Sequence, residues 1–178
     1  VWFDGEWDDG PRQHGLSAYR LEPGLSWAAQ AMPSDIQGVT LRSQWRTRQW
    51  SAEASYDWLG SVSGRLANGS YAAASARWRI DRDNQLNIGT ALRRFDGQAW
   101  NSYADWRRNN HWGNSGLRLE LAGGANLQGP ARVLSYDQDW AVPLGWTVAT
   151  TLGLGRYAAA SGDDGFWSAA LALQAPLA

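Results

Sequence analysis

The sequence predicts an all-β protein, an antiparallel up-and-down β-barrel that spans a membrane. Three observations predict it. Apolar and polar side chains alternate along most of the chain, and tryptophans stand at the margins of short polar turns. No apolar run approaches the ~20 residues that a membrane-spanning helix needs. With 178 residues, the chain is expected to form one domain.

The stretch SQWRTRQWSAEASYDW shows this alternation clearly. Leu41 and Trp45 are expected on one face of a strand and Arg42 on the other, because successive side chains of a strand point to opposite sides. After a tight turn, residues 50–58 repeat the pattern with an apolar residue at every second position. The stretch therefore predicts a hairpin with one apolar side and aromatic residues near both of its ends.

The same pattern recurs as far as residue 174 and predicts about ten strands of roughly 9–12 residues, the length that crosses a bilayer at a tilt. The first strand is expected from Ser17 to Ala31, with Tyr19 and Leu21 on its apolar face. Tight connections are predicted at residues 47–49, 81–84, 108–111 and 143–145, and the other connections at 60–70, 95–98, 123–130 and 157–165. Short turns at one edge and longer loops at the other are typical of barrels in the bacterial outer membrane. This location implies the lipid bilayer and the barrel-assembly machinery as partners.

The polar face is expected to line the barrel interior. The side chains predicted there are Arg20, Arg42, Glu53, Asp57, Arg77, Arg79, Arg93, Tyr103, Asp105, Arg118, Glu120, Asp137 and Asp139. Basic and acidic strands roughly alternate, so ion pairs are expected between neighbouring strands, where opposite charges stabilise a sheet modestly. Two outcomes stay open at this point: the charged network fills a narrow barrel, or it lines a conducting pore.

The apolar face is expected to carry a girdle of aromatic residues at the membrane interface. Its predicted members are Trp45, Trp50, Tyr56, Trp58, Trp78, Trp100, Trp106, Trp140, Trp146 and Trp167. Indole favours this region because its ring is apolar while its N–H needs a hydrogen-bond partner.

A water-soluble β-sandwich is the alternative fold, since the strands of a sandwich alternate as well. Two features count against it. Charged residues stand at mid-strand on the polar face, and the apolar face is rich in Ala with Trp towards the strand ends. A soluble core favours bulky residues at mid-strand and has no such preference at its rims.

Nothing in the sequence predicts an enzyme, a cofactor or a metal site. The two histidines, His14 and His111, have no Ser and Asp placed beside them as a catalytic triad requires. The acidic clusters at residues 4–9 and 163–164 lack the spacing of a calcium-binding loop. A net charge of −1 gives no electrostatic basis for binding nucleic acid, and the absence of cysteine excludes disulfides.

The alternating hairpins with aromatic ends resemble those of bacterial outer-membrane β-barrels over nearly the whole chain. Two stretches, YRLEPGLSWAAQAMPSDIQG and ARWRIDRDNQLNIGTALRR, are similar to the C-terminal barrels of exopolysaccharide-secretion proteins. These proteins include the cellulose-synthase-operon outer-membrane subunit and the phage N4 adsorption protein, in which helical repeats precede the barrel. The resemblance implies that Arg, Asp, Tyr and Gln side chains of the interior line a path for a glycan.

Two departures from that resemblance concern the ends of the sequence. Outer-membrane barrels usually finish with an aromatic residue that the assembly machinery recognises, whereas this sequence finishes LALQAPLA. Residues 1–14 are expected to be an N-terminal segment or the end of a preceding region, and residues 15–178 the barrel. The sequence is therefore expected to belong to a longer protein, with the predicted strand number as a lower bound.

The sequence thus predicts a barrel that forms a pore for the passage or secretion of a polar solute, a polysaccharide in particular. A sealed barrel that acts as a membrane anchor, adhesin or phage receptor is the first alternative. A hydrolase embedded in the outer membrane is the second, and the lack of a histidine-containing triad counts against it.

Overall fold

The computed structural model describes residues 1–24, 26–27, 30–31, 34–65, 67–125, 129–142, 146–159 and 162–174. Within these ranges the chain forms strands, and no helix is long and apolar enough to span a membrane. The strands are β1 (Trp2–Asp9), β2 (Arg12–Leu21), β3 (Ser26–Trp27), β4 (Gln30–Ala31), β5 (Ile36–Arg46), β6 (Trp50–Ser61), β7 (Gly69–Arg79), β8 (Asn84–Arg94), β9 (Gln98–Asn110), β10 (Gly113–Gly124), β11 (Ala131–Ala141), β12 (Thr147–Ala159) and β13 (Gly162–Gln174).

Eleven of these strands form one antiparallel sheet in the order β1-β2-β5-β6-β7-β8-β9-β10-β11-β12-β13. The remaining two, β3 and β4, form a small hairpin within the connection between β2 and β5. Because the connections are short, each strand returns beside its predecessor. The prediction of an all-β, antiparallel, up-and-down sheet is therefore confirmed, with eleven strands instead of about ten. Among the described residues β1 and β13 do not pair with each other, so the sheet is open.

The predicted first strand, residues 17–31, is wrong in its extent, because β2 already ends at Leu21. Pro23 and Gly24 follow it. Proline has no amide hydrogen to donate to a neighbouring strand, and Gly24 has a φ of 77°, a left-handed conformation that favours glycine. Residues 25, 28 and 29 of the predicted strand lie outside the described residues.

The sheet begins ahead of the position where the barrel was expected to start. Residues 2–14 form β1 and the first part of β2, which pair from Trp2 with Tyr19 to Asp9 with Arg12. Gly10 allows this two-residue turn, since its φ of 58° is readily adopted by glycine.

The connections define two edges of the sheet. Among the described residues, the turn edge carries residues 10–11, 47–49, 80–83, 111–112, 142 and 146, and the loop edge carries residues 22–24, 34–35, 62–65, 67–68, 95–97, 125 and 129–130. The predicted loop at residues 157–165 is wrong, because Tyr157 pairs with Asp164 and both strands continue beyond this pair. Residues 143–145, a predicted tight turn, and residues 160–161 lie outside the described part of the chain.

Side chains within the turns hold the ends of the strands together. Thr47 Oγ1 donates to the carbonyl of Trp50 at 3.0 Å and accepts the Trp50 amide at 3.1 Å. In the next turn, Asp81 Oδ1 accepts the amides of Asp83 and Asn84, each at 2.8 Å. The hydrogen bond from the Asp83 amide is the main cause of a pKa below the ordinary value for the Asp81 carboxyl group.

The pairing register separates two faces across nine strands. The apolar row consists of successive register partners from β5 to β13, namely Trp45, Ala52, Ala76, Ile88, Ala104, Leu119, Leu134, Leu154 and Trp167. The polar row lies one residue nearer the turn edge in each strand. Its members, again successive partners, are Arg46, Ser51, Arg77, Asn87, Asp105, Arg118, Ser135, Gly153 and Ser168. The alternation seen in the sequence is thus kept in register by the sheet.

The apolar face has no second layer packed against it. No hydrophobic side chain is buried among the described residues, and each strand contacts only its neighbours in the sheet. Leu41, Leu119 and Leu152, at mid-strand on the apolar face, are 45, 42 and 54% exposed. The described residues therefore do not form the covered core that a soluble sandwich has.

Rows of paired residues climb from one edge of the sheet towards the other. Trp7 lies two residues from the turn edge in β1, and the row of register partners that begins there ends at Arg156 in β12. Arg156 lies nine residues from Thr147, where β12 starts at the same turn edge. Such a stagger means that the strands are tilted, as closing a sheet into a barrel requires.

A carboxylate at the loop edge joins two connections. Asp35 accepts hydrogen bonds from Ser61 Oγ at 3.0 Å, from Ser63 Oγ at 2.7 Å and from the Ser63 amide at 2.7 Å. Its φ of 64° is left-handed, which an Asp side chain tolerates better than most. The hydrogen bond from the Ser63 hydroxyl is the main cause that lowers the pKa of Asp35.

Loss of the Asp35 charge is expected to loosen the loop at residues 62–65. A lowered pKa means that the contact is complete above the ordinary pKa of an Asp carboxyl group and is lost as the pH falls through the lowered value. We expect the Ser63 amide to exchange with deuterium faster in Asp35→Ala than in wild type, and Asp35→Asn to fall between the two because it keeps one acceptor. Equal exchange in all three proteins would show that Asp35 does not hold the loop.

Candidate functional site

The polar face carries a groove that extends from β1 to β10. A cavity of ≈ 660 Å³ is lined by side chains of the six adjacent strands β5 to β10. A cavity of ≈ 420 Å³ adjoins it towards β1, and one of ≈ 460 Å³ adjoins it over β5 to β9 towards the loop edge; both share Gln44 with it. We call this continuous depression the polar groove. A separate depression of ≈ 510 Å³ on the apolar face arises where the strands carry mainly Ala, Ser and Thr.

The middle of the polar groove is built from a stack of three residues on neighbouring strands. The ring of Tyr103 in β9 lies over Gly89 in β8, where a methyl group would meet a ring carbon at 2.5 Å. The guanidinium group of Arg118 in β10 lies over the same ring, 5.4 Å from its centre. Arg118 Nε also contacts Glu120 Oε1 at 2.6 Å. Glycine at position 89 therefore makes room for the ring, and the ring supports the cation.

Asp105 is the one charged residue of the groove that is largely covered. It is 8% exposed and is the register partner of Asn87 on one side and Arg118 on the other. Its carboxylate oxygens accept hydrogen bonds from Arg107 Nε at 3.3 and 3.4 Å. Because burial of a lone charge is costly, this contact explains how Asp105 stays within the sheet.

Two arginines of the groove donate to side-chain amides instead of carboxylates. Arg77 Nε donates to Asn87 Oδ1 at 3.1 Å, and a terminal nitrogen of Arg46 donates to Gln44 Oε1 at 3.3 Å. Neither arginine has a carboxylate within 4.0 Å among the described residues. The ≈ 660 Å³ cavity holds four arginines and two carboxylates, so its formal charge is +2. This part of the groove can therefore attract anionic or hydroxyl-rich groups.

The register places twelve of the thirteen predicted interior residues on the polar side of the sheet. They are Arg42, Glu53, Asp57, Arg77, Arg79, Arg93, Tyr103, Asp105, Arg118, Glu120, Asp137 and Asp139. That this side is the interior of a barrel stays a prediction.

Arg20 was expected with them, and that placement is wrong. Its register partner is Gln37, which shares the side of Val39 and Leu41, and its guanidinium group pairs with Glu22 at 2.7 Å. Tyr19, expected on the apolar face, lies on the polar side over Gly38.

The ion pairs also differ from the prediction. They were expected between neighbouring strands, but the three found among the described residues each join positions two apart on the chain, namely Arg20–Glu22, Arg107–Asp105 and Arg118–Glu120. Side chains in a strand lean along its direction, which brings such positions within reach. The contacts across strands involve uncharged partners, such as Ser75 Oγ with Glu53 Oε1 at 3.0 Å.

Several uncharged residues of the groove are not among the predicted interior residues. Gln44, Ser75, Gln85 and Asn87 line the ≈ 660 Å³ cavity, and Gln85 Nε2 joins Arg77 on Asn87 Oδ1 at 3.0 Å. Their position at alternate residues of β5, β7 and β8 was the available signal. The amides of Gln44 and Asn87 fix arginine side chains here, and the hydroxyl of Ser75 binds Glu53.

Aromatic residues of the apolar face lie towards both edges of the sheet: Trp45, Trp50, Trp78, Trp106 and Trp140 towards the turn edge, and Trp58 and Trp100 towards the loop edge. Nine of the ten predicted girdle residues lie on that face by register, and the tenth, Trp146, directly precedes β12. Trp45 and Trp50 have ring centres 4.1 Å apart, and Arg12 lies over the Trp45 ring at 5.3 Å. Their place at a membrane interface stays a prediction.

Two further aromatic contacts extend this belt. Trp7 stacks on His14 with ring centres 5.4 Å apart, and Trp112 contacts His111 at 4.6 Å. Both histidines therefore lie against indole rings at the turn edge. In the part of the chain that the structure describes, no group of three or more acidic or imidazole side chains could hold a metal ion.

No family model, curated protein or solved structure matches this chain. The similarity to exopolysaccharide-secretion barrels therefore stays a prediction.

A methyl group at position 89 is expected to displace the ring of Tyr103. Gly89→Ala should destabilise the protein by about 1–3 kcal/mol, the usual effect of overpacking, in urea unfolding followed by tryptophan fluorescence. Gly116→Ala is the matched control, since a methyl group there would meet Asp137 at an ordinary 3.6 Å. In a Tyr103→Ala background the effect of Gly89→Ala should largely vanish, and an undiminished effect would contradict the stack.

Proposed function

We propose that this sheet is part of the wall of a β-barrel in the bacterial outer membrane, and that the polar groove forms a path for a polar solute, a polysaccharide. The single observation that carries the proposal is the open apolar face, which is bordered by aromatic residues and lies opposite the charged groove. Lipid would cover the apolar face, and the solute would pass along the other.

The extent of the apolar face supports a lipid environment. The apolar row alone crosses nine strands, which at ~4.8 Å per strand is roughly 40 Å of width. With about 20 Å of height, the face covers roughly 800 Å², whereas the largest apolar patch of a typical soluble monomer covers about 300–600 Å². The strands β5 to β13, of 11 to 13 residues each, are also long enough to cross a bilayer at a tilt.

The chemistry of the groove supports a hydroxyl-rich solute. Asn87 and Gln44 supply amides, and Arg77 and Arg46 supply donors without a paired carboxylate. Sugars expose many hydroxyl groups, which accept and donate hydrogen bonds, so the combination suits a polysaccharide.

Adjacent residues on opposite faces of β11 test the membrane environment. Leu134→Arg should destabilise the protein in lipid vesicles by about 2–4 kcal/mol, as expected for arginine facing hydrocarbon near the bilayer centre. Val133→Arg is the matched control, because position 133 lies on the polar side of the sheet opposite Glu120, and the substitution should change stability by less than about 1 kcal/mol. Unfolding in urea measures both variants. Equal tolerance of the two substitutions would contradict a lipid-facing surface.

Ion selectivity tests the path along the groove. Arg77→Glu reverses the charge of an unpaired groove arginine, so conductance of the native protein in planar bilayers should shift towards cations. Arg48→Glu, in the turn at residues 47–49, makes the same charge change outside the ≈ 660 Å³ cavity and should shift selectivity less. Silence at all voltages would contradict a conducting path and favour a sealed anchor, adhesin or phage receptor.

A further inference from the structure

Both outer strands of the sheet have an unpaired edge. Among the described residues, β1 pairs with β2 alone and β13 with β12 alone. Exposed backbone N–H and C=O groups cannot be satisfied in hydrocarbon, so a sheet in a bilayer has to close. This step rests on the membrane location proposed above.

The direction of the strands excludes closure by β1 and β13 themselves. Eleven strands that alternate in direction leave β1 and β13 running the same way. Their pairing would be parallel, whereas up-and-down barrels of the bacterial outer membrane close with antiparallel pairs. If a second copy lay in the same membrane orientation, the pairing of its β13 with β1 would also be parallel. An antiparallel barrel therefore needs an odd number of further strands.

The charges on β1 indicate which strand lies beside it. Asp4, Glu6 and Asp8 occupy three successive positions on its polar side, and their register partners Ser17, Gly15 and Gln13 are uncharged. Ser17 Oγ donates to Asp4 at 2.8 Å, and none of the three carboxylates has a cation within 4.0 Å in the described part of the chain. A second copy that offered its own β1 would add three more carboxylates at this edge. The opposite edge differs, because β13 carries no charge from Phe166 to Gln174.

We infer that β1 pairs with an antiparallel strand from outside residues 1–178, and that this strand carries arginine or lysine opposite Asp4, Glu6 and Asp8. Opposite charges at facing positions of neighbouring strands attract each other. The bare backbone edge provides the hydrogen bonds, and the three carboxylates select a basic partner over a neutral or acidic one.

Designed strands can test this pairing with the 178-residue chain in detergent micelles. Two labelled peptides of about twelve residues share one face of alternating Leu and Val, long enough for one barrel strand. They differ on the other face, which carries Arg in the first peptide and Glu in the second. We expect the Arg peptide to bind at least tenfold more tightly, by fluorescence anisotropy. The preference should fall to about twofold in the triple variant Asp4→Asn, Glu6→Gln, Asp8→Asn, whereas Asp137→Asn with Asp139→Asn in β11 should leave it unchanged. Equal binding of both peptides to the wild-type chain would overturn the inference.

Cysteine cross-linking locates the bound strand, because the chain has no cysteine of its own. A central Cys in the Arg peptide should form a disulfide with Glu6→Cys and not with Ser168→Cys on β13. A disulfide within one chain carrying both substitutions would overturn the inference by showing closure of β1 on β13, and a Glu6→Cys dimer would overturn it in favour of a second copy. These measurements need no bilayer, so failure of the membrane proposal would appear in the Leu134→Arg comparison instead.

Discussion

The structure depends on a register that holds two chemically different faces one residue apart. The apolar row and the polar row use adjacent residues of the same nine strands. If one strand slipped by a single residue, Arg77 would take the place of Ala76 beside Ala52 and Ile88. Because a hydrophobic core is absent from the described residues, this alternation, and not burial between layers, has to specify the pairing.

A sheet of this kind is stable only where its two faces meet different surroundings. Water suits the groove with Arg46 and Arg77, but it penalises the open face with Leu119 and Leu152 in proportion to the exposed area. The aromatic residues near the turn edge, with Trp45 and Trp50 in ring contact, fit the boundary between the two media, since indole has both an apolar ring and a polar N–H. The two faces, the aromatic residues and the tilt of the strands are thus all consistent with the proposed membrane location.

Alternation in the sequence predicted most of the sheet because it is a local signal. The hairpin of β5 and β6, with its turn at residues 47–49, appears as expected. In β2 the signal fails, since Leu16 and Ala18 on one side and Tyr19 and Leu21 on the other are all apolar. The choice of face is made by the partners in β5, where Leu16 meets Leu41 and Tyr19 meets Gly38. Contacts between residues this far apart in the chain are not encoded in a local pattern. The packing of the Tyr103 ring on Gly89 is likewise not encoded in one.

The direction of the ion pairs links the local chemistry to the open groove. Arg107 and Arg118 pair with carboxylates of their own strands, Asp105 and Glu120, and Arg118 also lies over the Tyr103 ring of β9. Short side chains such as Ser75 line the cavity beside them. Had the charges paired across the sheet, long side chains would bridge the groove and fill it. Pairing within a strand instead neutralises part of the charge while the cavity stays open, which suits the proposed path for a hydrated polymer.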